Sequence, residues 1–351
     1  ESTCTELYAI LNEGTNDVPV FNNASAFPQA QPANIFNSPA AFFEDVDFDG
    51  VRDCIMTPYI FKREDLRNRL AASTFFYKNT GTALTPQYQF IQNNFLQSEM
   101  IDVGDNAVPA FMDYDGDDDL DLFISQFTGD NFAAGMVLYR NTGTKYKPAF
   151  KLVSKNYLGL ARFGFYNMKL HFADIDSDGK KDIVFLARIF NQGGTRIYFV
   201  RNKSESSLNV SGQMIEVLAL PDDFLLTETE NICFTDVNDD EKTDLLVGRS
   251  NGSLVLLRNN GQASFTIEDE RYLGLGVTNT RRNIACASGD LNNDGNADLV
   301  LTDADGTLRI VSDYKRADSD ASSVNQVIYN SFTKTYQSLN LGGLQWTVIT
   351  N

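Results

Sequence analysis

The chain has 351 residues, a net charge of −18 and 42% hydrophobic residues, with 26 Phe and 14 Tyr. That composition belongs to a folded chain with a sizeable core, not a disordered one. The acidic balance argues against nucleic acid or an anionic membrane as partner, since both are gripped through Lys and Arg. No apolar run approaches the roughly 18 residues of a membrane span.

The chain begins at Glu1 without Met or a signal peptide and reads as a processed or excised piece. Its first element is "LYAILNEGTNDVPVF", with Asn12, Gly14, Thr15, Pro19 and Phe21. The same offsets recur in "YKNTGTALTPQYQF" from Tyr77, in "YRNTGTKYKPAF" from Tyr139 and, in a worn form, in "LRNNGQASF" from Leu257. Each reads as a strand, an Asn-x-Gly turn and a second strand opened by Pro. The chain is therefore expected to start at the third strand of a four-stranded unit.

The next element is "DVDFDGVRD", Asp45 to Asp53. It recurs as "DYDGDDDLD" from Asp113, "DIDSDGKKD" from Asp174, "DVNDDEKTD" from Asp236 and "DLNNDGNAD" from Asp290. The starts lie 68, 61, 62 and 54 residues apart. A fixed pattern at near-fixed spacing signals a repeat architecture. Each copy sits between short β-rich apolar runs, such as "VPAFM" before and "LFIS" after the second. Each unit then reads as strand, acidic loop, strand, longer loop, strand, Asn-x-Gly turn, strand, which makes one propeller blade.

The expected fold is an all-β propeller of four-stranded antiparallel blades, six in number with seven as the alternative. Whole blades are expected at 40–107, 108–167, 168–229, 230–282 and 283–340. Residues 1–39 would supply outer strands of a closing blade. Its first strand would be 341–351, where "LGGLQWTVITN" resembles the start of a blade and Asn351 falls at loop position 1. Trp346 is expected to pack between that blade and its neighbour, and the natural chain is expected to continue past Asn351.

Four carboxylates in nine residues repel unless a cation holds them. Hard divalent ions take oxygen ligands, and Ca²⁺ takes six to eight. Side chains at positions 1, 3 and 5 converge, position 7 offers a backbone carbonyl, and the position-9 carboxylate completes the cage. The candidate ligands are Asp45, Asp47, Asp49, Val51 and Asp53; Asp113, Asp115, Asp117, Asp119 and Asp121; Asp174, Asp176, Asp178, Lys180 and Asp182; Asp236, Asn238, Asp240, Lys242 and Asp244; Asp290, Asn292, Asp294, Asn296 and Asp298. Gly at position 6 permits a sharp bend, yet Asp118 and Glu241 stand there in copies two and four. Up to five Ca²⁺ ions are expected, with the Asp236 loop weakest. An EF-hand is excluded, because position 12 is Met56, Ile124, Phe185, Val247 or Leu301 in place of Glu.

The pattern D-x-[DN]-x-D-G-x-x-D with Asn-x-Gly turns resembles the FG-GAP/VCBS family, whose calcium loops also occur in integrin α propellers. The resemblance covers nearly the whole chain and implies a calcium-stabilised propeller. It also implies a secreted or cell-surface location, and is closest to bacterial surface proteins, many of them handled by type IX secretion. One fold hosts many functions, so the resemblance says less about activity. It suggests a module that binds protein or glycan. The alternatives are a structural or cargo domain read by secretion or outer-membrane machinery, and a polysaccharide-active enzyme.

Catalytic signals are sparse. His171 is the sole histidine, and there is no GxSxG, P-loop or HExxH. A lone His on a strand is more often packed than catalytic, so no enzyme is expected. Cys4, Cys54, Cys233 and Cys286 include no CxxC pair, which argues against zinc. Two disulfides and four free core thiols both remain open. The loops joining second to third strands would share the face opposite the acidic loops. There Tyr59, Phe61, Arg63, Arg67, Phe127, Phe132, Arg188 and Phe190 are the candidate partner-binding residues, since Arg with aromatics typifies binding surfaces. The alternative is that the aromatics fold back to cap the core.

Overall fold

The computed structural model describes residues 8–26, 40–58, 72–98, 100–127, 133–189, 192–316, 327–330 and 335–338. The chain divides into two compact units, Glu1–Asp102 and Val103–Asn351. The first holds a hairpin of β1 (Tyr8–Ile10) and β2 (Ala24–Ala26). It also holds an antiparallel sheet of β3 (Ala40–Glu44), β4 (Asp53–Thr57), β5 (Phe75–Asn79) and β6 (Tyr88–Gln92), side by side in chain order.

The second unit repeats that sheet. One copy is β7 (Val108–Met112), β8 (Asp121–Ser125), β9 (Met136–Asn141) and β10 (Phe150–Ser154). The next is β11 (Phe165–Ala173), β12 (Asp182–Ile189), β13 (Thr195–Val200) and β14 (Glu216–Val217). A third is β15 (Asn231–Thr235), β16 (Asp244–Gly248), β17 (Leu254–Asn259) and β18 (Phe265–Asp269). Sequential antiparallel four-stranded sheets are propeller blades, so the fold is the all-β propeller class that the repeat predicts.

One boundary differs from expectation. β11 begins at Phe165, ahead of the expected start at 168. Among the described residues, the last blade holds a three-stranded sheet of β19 (Ala285–Gly289), β20 (Asp298–Thr302) and β21 (Leu308–Val311). β22 (Val327–Asn330) and β23 (Thr335–Ser338) pair with each other. After Asp313 the chain reads "YKRADSDASS", without the Gly and Pro that mark the turn elsewhere. The expected closing strand 341–351, Trp346 and Cys4 lie outside the described residues.

The blades of the second unit stack face to face through their middle strands. Along β12, Ile183, Phe185 and Ala187 join one core cluster, with Phe123, Phe165 and Tyr198. Val184 and Leu186 join the next, with Ile232, Leu245 and Val247. β16 does the same: Leu245 and Val247 face one way, and Leu246 faces Cys286, Leu299 and Leu301. Alternate side chains leave opposite faces of a strand. A strand buried on both faces therefore reads as an unbroken apolar run, as "DIVFLA" and "DLLVG" do. This stacking fixes the ends of the strands, where the acidic loops sit.

Candidate metal centres

Each acidic loop joins the first strand of a blade to the second, and its ninth residue opens that second strand. All five loops take one backbone path. Position 6 is left-handed in every copy, with φ of 91° at Gly50, 84° at Gly179 and 87° at Gly295, but also 66° at Asp118 and 65° at Glu241. Position 4 is left-handed as well, at Phe48, Gly116, Ser177, Asp239 and Asn293. The missing glycines in loops two and four thus leave the path unchanged. Position 4 went unnoticed in the sequence because no residue type marks it.

Backbone N–H groups hold the loops in shape. The position-1 carboxylate accepts from positions 5 and 6: Asp49 and Gly50 donate to Asp45 at 3.0 and 2.9 Å, and Asp178 and Gly179 to Asp174 at 3.1 and 2.9 Å. The position-5 carboxylate accepts from position 7, as Val51 donates to Asp49 at 3.1 Å and Asn296 to Asp294 at 2.8 Å. Nearly all these oxygens keep lone pairs to spare.

The ninth residue has a second role that sequence reading missed. Asp53, Asp121, Asp182, Asp244 and Asp298 are all buried. One oxygen accepts the N–H of loop position 2, from Tyr114 to Asp121 at 2.7 Å and from Ile175 to Asp182 at 3.3 Å. The other accepts the N–H of the residue that ends or follows the third strand. Asn79, Asn141, Asn202, Asn259 and Asp313 donate at 2.8, 2.7, 2.8, 2.9 and 3.0 Å. The acidic loop and the Asn turn are therefore one latched assembly. The Asn side chain builds the turn in its own right: Asn141 Oδ1 accepts from Gly143 at 3.0 Å and Ala149 at 2.9 Å. A Cβ on Gly143 would collide with the Lys147 carbonyl oxygen. Asn12 makes the same pair of bonds with Gly14 and Val20 at 2.9 Å each, as the N-terminal signature predicts. Asn202 does it with Ser204 and Asn209, a turn the sequence hid by replacing the glycine.

Three loops bring carboxylate oxygens within 4.8 Å of one another: Asp45, Asp47 and Asp53; Asp113, Asp115 and Asp121; Asp174, Asp176 and Asp182. Asp115 Oδ1 and Asp176 Oδ1 are buried with no hydrogen-bond partner, as is Asp119 Oδ1 at position 7 of the second loop. An orphaned carboxylate oxygen is costly unless something positive meets it. An all-oxygen set of this size suits a hard divalent cation. Asn238 and Asn292 reduce the anionic set in loops four and five.

Burial pushes the Asp182 carboxyl up to about 6 and raises Asp121 and Asp244. Hydrogen bonds from Lys78 and Arg140 lower Asp49 and Asp117 respectively. The Lys180 and Lys242 side chains return to their own loops, at 3.0 Å from Asp178 and 3.6 Å from Asp240.

The family model described as "FG-GAP-like repeat" matches residues 113–185 and 236–301, spans that open on the second and fourth acidic loops. Over those two spans the chain resembles FG-GAP-like repeats. No curated relative matches it. Among solved structures, this chain is similar to an α-L-arabinofuranosidase from Fusarium graminearum in complex with an iminosugar inhibitor. The identity is 12%, with 80% of this chain and 76% of that one covered and a TM-score of 0.39. An α-L-arabinanase from Penicillium chrysogenum complexed with arabinobiose is 13% identical, covering 86% and 82%, at a TM-score of 0.38. A mutant of AofleA from Arthrobotrys oligospora is 9% identical, covering 92% and 79%, at 0.35.

Of the expected partner-binding residues, Tyr59, Phe61, Arg63, Arg67, Phe132 and Phe190 lie outside the described residues. Phe127 and Arg188 meet through Tyr166, which the sequence did not single out. Phe127 stands edge-on to that ring at 6.0 Å, and the Arg188 guanidinium lies over it at 5.6 Å. Arg188 is also 3.7 Å from Glu228. Arg249 stacks over Phe224 at 4.7 Å and pairs with buried Glu230 at 2.9 Å.

His171 lines a cavity of about 400 Å³ with Phe111, Phe172, Phe234 and Cys233. Burial, reinforced by Lys169, drops its imidazole to about 3, so the ring is neutral at pH 7. It stands edge-on to Phe234 at 6.0 Å. Cys54, Cys233 and Cys286 are buried free thiols. Among the described residues no helix is long and apolar enough to cross a membrane.

Proposed function

We propose that this chain is a calcium-stabilised propeller that binds a protein or glycan outside the cell and performs no chemistry of its own. The observation that carries the reading is the threefold recurrence of one carboxylate cluster, twice with a buried oxygen left unmet at position 3. Calcium bound there supplies positive charge. The residues that would hold it in each full loop are those at positions 1, 3, 5 and 9, with the position-7 carbonyl. The candidate binding surface is the Phe127, Tyr166 and Arg188 cluster, beyond the opposite ends of the strands from the loops. Aromatic rings with Arg give a partner stacking area and fixed donors. The neutral, packed His171 supports the non-catalytic part, because a group titrating near 3 is a poor proton acceptor at neutral pH.

Thermal unfolding in millimolar Ca²⁺ and in excess chelator tests the reading. Each site held a hundredfold above its dissociation constant adds about 2.7 kcal/mol. A large fall in Tm on chelation is expected. Identical melting curves would return the loops to plain acidic turns. An assay for reducing sugar released from polysaccharides checks the non-catalytic part, and turnover there would overturn it.

A further inference from the structure

Strand register puts one more residue of each blade at the acidic loop. The residue after position 9 pairs with the third strand as Cys54 with Tyr77, Leu122 with Tyr139, Ile183 with Val200, Leu245 with Leu257 and Leu299 with Val311. The next residue along the third strand is Lys78, Arg140, Arg201, Arg258 and Ser312 in turn. Four of the five are basic, and the side chains reach the loop.

Lys78 Nζ pairs with Asp47 and lies 2.9 Å from Asp49. Arg140 Nε lies 2.5 Å from Asp115 Oδ2, and its Nη2 lies 3.2 Å from Asp117. Arg201 pairs with Asp176 through Nη1 and with Glu216 through Nε at 2.8 Å. These are positions 3 and 5, the carboxylates a divalent ion would need. In loop four, where position 3 is Asn238, Arg258 goes instead to Asp244 at 2.6 Å and to Glu268. In loop five no ion pair reaches Asp290, Asp294 or Asp298 among the described residues. Arg316 stops at Asn296, 2.9 Å away.

An ion bound 2.3–2.6 Å from a carboxylate oxygen competes with an ammonium or guanidinium for the same lone pairs, and like charges repel across that distance. We infer that Lys78, Arg140 and Arg201 are built-in counter-cations: they fill the acidic loops before metal arrives and are displaced when it binds. The inference rests on the calcium reading of the loops. In this arrangement the third strand sets metal affinity. The basic side chain holds a loop in shape without metal, and it weakens the binding of metal by the strength of its own ion pair. The pairs are half-exposed, so each is worth little alone.

The experiment is calcium titration calorimetry with parallel melting in excess chelator, on the full chain and on Lys78→Met and Arg140→Met. Each variant should bind calcium at its loop about fivefold more tightly, since an exposed ion pair competes only modestly. It should also melt lower in chelator. Arg140→Lys should restore both values. Ser312→Arg, at an exposed position, adds the missing cation to loop five and should weaken binding there. Two signs that oppose each other cannot come from a general loss of packing. Wild-type binding with unchanged or weaker affinity in Lys78→Met and Arg140→Met would overturn the inference alone. No binding by the wild-type chain would remove the calcium reading, and the inference with it.

Discussion

At the scale of single residues, two side chains are held against their preference. Glu241 has φ of 65°, in a region that costs a side-chain-bearing residue roughly 1–2 kcal/mol. Glycine avoids that cost but loses about 0.5–1 kcal/mol to chain entropy. Glu241→Gly should therefore raise stability by up to about 1 kcal/mol, read as a shift in the denaturant midpoint at constant slope. A loss of stability would mean that the Glu241 side chain contributes more than its backbone costs. The second residue is His171, whose folded value near 3 lies below the ordinary 6.5. Between those values the unfolded chain binds a proton that the folded chain refuses. The contribution is thus complete above pH 6.5 and is lost as pH falls towards 3, at about 1.4 kcal/mol per unit. Other carboxylates titrate in the same window, so the readout is a difference. Plotted against pH, the stability of His171→Phe should be flatter than wild type between 6.5 and 4. Parallel curves would place the imidazole in contact with solvent.

At the scale of the element, the position-9 aspartate separates architecture from metal binding. Asp182→Ala strips partners from the N–H groups of Ile175 and Asn202, inside the blade. Buried donors left unmet cost about 1–3 kcal/mol each. This variant should lose roughly 3 kcal/mol or more in chelator, and more again in calcium because it also removes a carboxylate of the cluster. Asp178→Ala, at exposed position 5, should cost little in chelator and show its loss only in calcium. Equal losses from both variants in chelator would deny the latch. The loop itself was legible because aspartates at alternate positions of a tight turn repel one another unless a cation sits among them. The latch was not, since its partner is a backbone N–H some 15 to 26 residues away, on a strand whose register only the folded sheet defines. The Asn12, Asn79 and Asn141 turns were readable through their glycines, and the Asn202 turn was hidden by Ser204. In the last blade the described residues hold three paired strands, and part of the segment that follows lies outside them. The blade's loop signature is complete, and the turn that should follow lacks its marker residues. Tyr166 escaped notice because Phe127 and Arg188 come from two different blades and only folding brings both to it.

At the scale of the whole molecule, the acidic loops set how the chain responds to salt. The net charge of −18 is concentrated in five short segments, and five calcium ions would bring it to about −8. Without metal, carboxylates within 4.8 Å repel, and the third-strand cations answer only part of that repulsion. Dissolved salt screens the remainder, because the screening length falls from about 10 Å at 0.1 M to about 3 Å at 1 M. With calcium bound, the repulsion is already met at each site. Salt then mainly weakens the exposed ion pairs. The two conditions should give opposite trends. In excess chelator, raising sodium chloride from about 0.1 to 1 M should raise Tm by several degrees, at about 2–4 °C per kcal/mol for a chain of this size. In saturating calcium the same series should be flat or slightly falling. Parallel rises in both would assign the effect to general salting-out, and the charge in the loops would then have no part in holding the blades together.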